Sequence, residues 1–387
     1  MNSSDNQIFP RELLDESLDK RYAYFQEVKI NHKLLDDAIR AVFQAIRNAD
    51  RDSLLFAYGP SGVGKTTLAD LVVGKIIRLH LKSLEIDRQW IPAVRVQLEA
   101  PPSGLFRWGD ALAGAMVSMG EPLVEFKLPP RSAEEITSYP KVFERSDVRR
   151  YYQAYLNTLK FRHPELVLFD DAQYLGRVSS KKLTNQMDVA KCLAYKSNTR
   201  HGFIGTYELL ALRNLNGQIS RRSTMDVHFR RYRNEKNDRG FFSKAIRTFE
   251  GYLPVELRPE LEAHLDELME RSVGCIGNLK KWMERALNLA LNDGGRELTI
   301  EHMRSSAWSE SQLSKMFAET MAGEDELKQD EERYRSLRDQ MWKPADGGEP
   351  PPGAPPDVQS HRKHMPGEQK PRRLPIGPTD QFPPAAA

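Results

Sequence analysis

The sequence predicts a doubly wound α/β sheet with a small helical domain appended, on three observations. Short apolar runs alternate with amphipathic stretches through the first two-thirds of the chain, the pattern of a parallel sheet covered by helices on both faces. Residues Gly59-Pro60-Ser61-Gly62-Val63-Gly64-Lys65-Thr66 match G-x-x-x-x-G-K-[ST] at every position, between a strand-like run and a helix-like one. After Pro254 the strand-like runs stop and only helical periodicity continues.

Residues 1 to 20 read as a weakly ordered lead-in. A helix is expected over Lys33 to Asn48, where Leu34, Leu35, Ala38, Ile39, Val42, Phe43 and Ile46 recur on one face. Leu54 to Tyr58 reads as a buried strand, and Thr67 to Val73 as a helix whose N-terminus faces the glycine-rich loop. Ala93 to Leu98 is the next apolar strand. A break at Pro101-Pro102-Ser103-Gly104 leads into a helix holding Leu105, Phe106, Ala111, Leu112 and Met116. Residues 121–147, rich in proline and charge, read as an irregular insertion. The helix Val148–Arg162 precedes Leu166-Val167-Leu168-Phe169, a continuous apolar run of the kind buried in parallel sheets. Gly202 to Thr206 and Met225 to Phe229 complete the strands.

Beyond Pro254, one helix is expected to carry Leu257, Leu261, Leu265, Leu268 and Met269. A second carries Ile276, Leu279, Trp282, Met283, Ala286, Leu287 and Ala290. Past Trp342 lie 12 of the 24 prolines with few apolar residues, a composition that cannot bury enough surface to fold alone and reads as disordered. The expected organisation is a lead-in over 1–30, a nucleotide-binding α/β domain over 31–252, a helical lid over 253–340 and a Pro-rich basic tail over 341–387.

Composition narrows the class. With 387 residues, 40% hydrophobic and 29% charged, the chain is long enough for one large nucleotide-binding unit with additions. No apolar run approaches the ~20 residues that span a bilayer, and the N-terminus lacks a basic-then-apolar leader. The two cysteines, Cys192 and Cys275, have no metal-ligand spacing and read as buried or half-buried thiols of a cytoplasmic protein. Net charge is +3, but ten Lys or Arg against three acidic residues crowd Arg213 to Arg247. A second basic cluster lies at Arg362, Lys363, Lys370, Arg372 and Arg373. Such clusters either neutralise phosphates or are simply solvated.

The glycine-rich octapeptide points to a nucleoside triphosphate. Glycines let the backbone curl so that successive N–H groups face the phosphates. Lys65 adds a mobile charge, and the Thr66 hydroxyl is placed to hold Mg²⁺. Such a loop needs an acidic residue at the end of a neighbouring strand. Leu166-Val167-Leu168-Phe169-Asp170-Asp171 supplies it: Asp170 for the Mg²⁺ shell, Asp171 to orient or deprotonate the attacking water. The second acid is more usually Glu. Asp171 is one methylene shorter, so the base sits ~1 Å back, a displacement that can cost of order 100-fold in rate. A slow, switch-like ATPase is expected.

The order of these elements resembles the AAA+ family and, within it, the TnsC/TniB transposition regulators, relatives of IstB and MuB. The resemblance is carried by Gly59–Thr67, Asp170-Asp171-Ala172-Gln173 with Leu175, and Gly205-Thr206-Tyr207-Glu208-Leu209. It continues in Ile219-Ser220-Arg221-Arg222, Phe229-Arg230-Arg231-Tyr232 and Gly274-Cys275-Ile276-Gly277-Asn278-Leu279, preceded by Asn31-His32-Lys33. It covers roughly residues 20–310 and implies an AAA+ doubly wound sheet with a helical lid, binding ATP and Mg²⁺. Nucleotide contacts then fall on Gly59, Pro60, Ser61, Gly62, Val63, Gly64, Lys65, Thr66 and Thr67.

The resemblance makes Thr206 a polar sensor of the γ-phosphate, with Gln173 linking the Mg²⁺ site to DNA or a neighbour. It makes Arg221 or Arg222 a finger into the adjacent subunit's ATP, a planar cation satisfied only while the γ-phosphate is present. Lys280 stands where many lids place an arginine. The resemblance further implies a bacterial, nucleoid-associated protein assembling as a hexamer or heptamer ring, or a helical filament, on duplex DNA without sequence preference. Its other partners would be a transposase and a target-selection protein, either TniQ-like in an RNA-guided (CRISPR-associated) complex or a site-specific DNA-binding protein. DNA contacts would come from Lys127, Arg131, Lys141, Arg145, Arg149, Lys181 and Lys182, none carried by a motif of its own. Two other functions fit the same engine: a helicase-loader or replication initiator, and a signalling NTPase scaffold. The Pro-rich tail is either a transposase-docking segment or an unbound extension.

Overall fold

The computed structural model describes residues 8–124, 148–179, 183–215 and 223–342. By its contacts the chain forms two units, residues 1–330 and residues 331–387. Of the second, residues 331–342 are described, and Tyr334, Leu337, Met341 and Trp342 are exposed there. The structure of the tail beyond residue 342 lies outside the described residues, as do most of the 121–147 insertion and residues 180–182 and 216–222.

The first unit is built on five parallel strands: β1 (Leu54–Tyr58), β2 (Ala93–Gln97), β3 (Leu166–Asp170), β4 (Arg200–Gly205) and β5 (Ser223–His228). They lie in the order β2-β3-β4-β1-β5. β1 thus lies between β4 and β5, with Tyr58 in register with Gly205 on one side and His228 on the other. Every residue of β1 and β3 is buried, which is why both read as unbroken apolar runs rather than alternating ones.

Helices cover both faces. α1 (Leu18–Glu27), α2 (Lys33–Asn48) and α3 (Lys65–Leu79) precede α4 (Leu81–Ile86), α5 (Trp108–Ser118) and α6 (Val148–Arg162). α7 (Leu183–Ser197), α8 (Leu209–Arg213) and α9 (Lys236–Tyr252) follow. One core holds the inward face of α2, with Leu34, Leu35, Ala38 and Val42, against α3 and the lid; the other holds α5, α6 and α7 against Val167, Phe169 and Phe203. The lid comprises α10 (Leu265–Arg271), α11 (Ile276–Asn292) and α12 (Ile300–Ser305), and a long helix, α13 (Glu310–Met341), ends the described chain.

Several expectations change. Residues 8–20 of the expected lead-in carry structure: Arg11–Asp15 forms a 3-10 turn, Phe9 is buried and α1 begins at Leu18, and just beyond them Phe25 is buried and Arg21 donates from Nη2 to the Pro254 carbonyl at 2.6 Å. Two buried aromatics and a guanidinium tie down a segment whose sequence is otherwise polar. The helix expected from Leu105 begins only at Trp108, leaving Leu105 exposed. The first lid helix breaks into a 3-10 turn, Leu261–His264, followed by α10, while Leu257 pairs in a bridge with Glu297. Cys275 is buried, but Cys192 is exposed on α7 and not the half-buried thiol expected. No described helix is long and apolar enough to cross a membrane.

Candidate nucleotide site

The sheet order places the carboxyl ends of β3, β4 and β1 side by side, the crevice where ligands bind in open α/β sheets. The loop after β1 turns at Gly62 (φ 78°) and Gly64 (φ 111°), left-handed conformations open to glycine at little cost. α3 then begins at Lys65, so its free N–H groups face the loop's interior. Gly59 is required for another reason: a Cβ there would stand 2.1 Å from the Phe229 carbonyl oxygen, where the chain leaves β5.

Lys65 folds back on this loop, donating to the carbonyls of Gly59 at 3.1 Å and Pro60 at 2.8 Å. Burial pulls its ammonium down to about 8, against the opposing pull of Cys275, Asp171 and Asp170. Among the described residues its hydrogen bonds go to carbonyl oxygens, and a buried cation so held is a receptor for an anion.

Both acidic residues expected here stand at the end of β3. Asp170 is 1% exposed; its Oδ1 accepts the Asp171 N–H at 3.0 Å and its Oδ2 accepts Arg95 Nη1 at 3.0 Å. Asp171 takes a left-handed conformation (φ 53°), which aspartate tolerates better than most residues. Its carboxylate accepts from Gln97 Nε2 at 2.5 Å and from Gln173 Nε2 at 3.0 Å. The Gln173 Oε1 in turn accepts the Thr206 N–H at 3.3 Å, joining the ends of β3 and β4. Thr206 Oγ1 is buried without a hydrogen-bond partner among the described residues. An orphaned hydroxyl and a lysine with no carboxylate hydrogen bond among the described residues suit a polyanion with its metal.

The lid closes on the loop through the start of α11. Asn278 donates its N–H to the Gly62 carbonyl at 3.2 Å and its Nδ2 to the Ser61 carbonyl at 3.5 Å. Lys280, expected at the phosphates, engages elsewhere: its Nζ donates to the Phe25 carbonyl and to Glu284 Oε1 at 2.8 Å, and lies over the Phe25 ring. The amphipathic phase of α11 turns position 280 toward α1, whereas positions 277 and 278 meet the loop.

Of the remaining expected residues, Arg221, Arg222, Lys127, Arg131, Lys141, Arg145, Lys181 and Lys182 lie outside the described residues. Arg149 is on α6, lining a cavity of about 1000 Å³ with Tyr152, Gln153 and Lys196. Sequence reading missed Arg95 and Gln97, although two polar residues at i and i+2 of an apolar strand share a face and signal a site.

The sheet order, the phosphate loop after β1, the acidic pair after β3 and the helical lid together define a doubly wound α/β nucleotide-binding type of fold with a helical lid. No protein-family model matches the chain, and no curated protein matches it. Among solved structures it is similar to the Aeropyrum pernix ORC2 protein (ADPNP-ADP complexes) at 16% identity, covering 74% of this chain and 72% of that one, with a TM-score of 0.48. It is also similar to the Aeropyrum pernix ORC1 protein in complex with DNA (15%, 74% and 68%, TM-score 0.49). A third likeness is to domain III of the Thermotoga maritima replication initiation protein DnaA (15%, 73% and 95%, TM-score 0.43).

Proposed function

We propose that this protein is an ATPase of the AAA+ class that assembles on duplex DNA in an ATP-dependent manner and regulates DNA transposition, bridging a target-selection protein to the transposase. The observation that carries the nucleotide reading is the continuous network Gln97–Asp171–Gln173–Thr206 beside a lysine that, among the described residues, is hydrogen-bonded by carbonyl oxygens and not by a carboxylate. The transposition reading is supported by the sequence resemblance alone.

In this reading Lys65 and the loop N–H groups bind the β- and γ-phosphates. Thr66 and Asp170 are the residues that would hold Mg²⁺, which when bound neutralises charge developing on the phosphate oxygens. Asp171, aimed by two amides, orients the attacking water and takes its proton. Thr206 lends its unpartnered hydroxyl to the γ-phosphate, and Arg221 or Arg222 of a neighbouring copy adds the cation that ties assembly to that phosphate. Hydrolysis then removes what the finger reads, so the nucleotide acts as a switch of assembly.

The test is electron microscopy of purified protein with a DNA duplex and either a slowly hydrolysed ATP analogue or ADP. Rings or filaments enclosing DNA only with the analogue support the proposal; nucleotide binding without assembly on DNA overturns it. Recruitment of a transposase to those assemblies separates this reading from a replication initiator.

A further inference from the structure

The network around Asp170 contains a cation for which the chemistry above has no use. Arg95 sits in the middle of β2, in register with Leu168 of β3. Its Nη1 donates to Asp170 Oδ2 at 3.0 Å and to Gln97 Oε1 at 3.1 Å, and its Nε lies 2.9 Å from Asp70 Oδ1 on α3. Asp70 is one-third exposed and also pairs with Lys29 at 3.1 Å. Asp170 is almost wholly buried, so its charge needs a partner even without a metal.

We propose that Arg95 is the internal counter-ion of the metal site: it neutralises Asp170 when no metal is bound and competes with Mg²⁺ for that carboxylate. Asp70 is the second seat that lets it yield. The inference rests on the reading of Asp170 as the metal-side carboxylate. The guanidinium and Mg²⁺ cannot both be fully satisfied by one carboxylate, and their mutual repulsion in a partly desolvated site weakens the metal. Asp70 offsets this by holding the guanidinium from the side away from Asp170. Arg95 is thus a positioning residue that sets how much Mg²⁺ the site demands, acting through Asp170.

The two partners give opposite predictions. Replacing Arg95 by Gln removes the competitor, so the Mg²⁺ concentration for half-maximal binding of a fluorescent ATP analogue falls by on the order of tenfold. Replacing Asp70 by Asn leaves Asp170 as the one carboxylate on the guanidinium, beside the Gln97 amide, and raises that concentration. Without metal, Arg95→Gln also leaves a buried carboxylate unpaired, so its Tm in EDTA drops and is restored by Mg²⁺ with nucleotide; Mn²⁺ binding followed by electron paramagnetic resonance reads the metal directly. Because Asp70 is partly exposed, Asp70→Asn keeps the test open if Arg95→Gln fails to fold. An unchanged or increased Mg²⁺ requirement in Arg95→Gln, or a decreased one in Asp70→Asn, overturns the inference. Wild-type protein that binds the analogue with no metal dependence overturns instead the assignment of Asp170 on which it rests.

Discussion

The backbone N–H of Asn278 donates to the carbonyl of Gly62 at 3.2 Å, so the first turn of the lid helix rests directly on the phosphate loop. Residue 277 must be glycine for that contact, because a Cβ there would stand 2.5 Å from the Gly62 oxygen. Gly277→Ala forces lid and loop apart. Overpacking of this kind costs about 1–2 kcal/mol, so ATP-analogue affinity should fall about tenfold, measured by fluorescence titration. Unchanged affinity would show that lid contact and nucleotide binding are independent.

Lys65 carries a pH signature. Its pKa of about 8 in the free protein means that the ammonium is charged below that value and discharges above it. A bound polyphosphate raises the pKa, so binding takes up a proton at alkaline pH. Affinity should be level near pH 7 and fall by up to about tenfold per unit above pH 8. A profile that stays flat to pH 9.5, well past that value, contradicts a phosphate role for this lysine. Lys65→Ala should lose nucleotide binding outright.

Asp171 separates binding from turnover. Asp171→Asn keeps an acceptor for one of the two amides and should still bind nucleotide while turnover drops by about 10²–10⁴-fold, the range for a lost general base. Asp171→Glu restores the missing methylene and should hydrolyse faster than wild type. Wild-type turnover well above about 1 s⁻¹ would refute the slow-switch reading.

Glu324 of α13 is 4% exposed and lies 2.9 Å from Arg231 Nε and 3.6 Å from Arg233 Nη2, while the neighbouring Gly323 lies against the Tyr207 ring. Glu324→Gln leaves Arg231, itself largely buried, without its counter-charge. Breaking a buried pair from one side costs about 3–5 kcal/mol, which thermal or denaturant unfolding will register. A loss below about 1 kcal/mol, the level of a surface pair, would place this contact in solvent.

His201 governs acid stability. Burial pushes its pKa from 6.5 down to about 4, while its ring bonds Tyr155 Oη at 3.0 Å and the Thr199 carbonyl at 2.8 Å. A depressed histidine contributes stability that is complete above pH 6.5 and is lost as pH falls toward 4, because only the unfolded chain then takes the proton. The loss from this group approaches about 3 kcal/mol, and His32 and His228 shift in the same direction. Chemical denaturation at pH 7 and pH 4.5 should show the difference. His201→Gln should flatten it in part.

Much of this was legible without coordinates. α2, β1 and α6 run over the residues that periodicity and apolar runs predict, since a one-sided or fully buried element writes its environment into consecutive positions. Asp170 ends a buried strand and Asp171 follows it directly. The long helix α13 was not foreseen, because its mixed, mostly charged sequence gives no clear apolar stripe and only Thr320, Gly323 and Glu324 are buried. Lys280 also escaped, because motif spacing fixes a residue's place on a helix but not which neighbour that face meets.

The sequence by itself determined the phosphate loop, the acidic pair and the alternation that makes the sheet, because each depends on local backbone geometry or on burial shared by neighbouring positions. Only the tertiary structure decided which side chains complete the site. Arg95 and Gln97 reach Asp170 and Asp171 because β2 lies beside β3, and Gln173 reaches Thr206 because β3 lies beside β4. Asn278 comes from more than 200 residues downstream to meet Ser61. Hydrogen bonds act over about 3 Å of space whatever the distance along the chain, so the partners of a buried charge are set by strand order and lid docking.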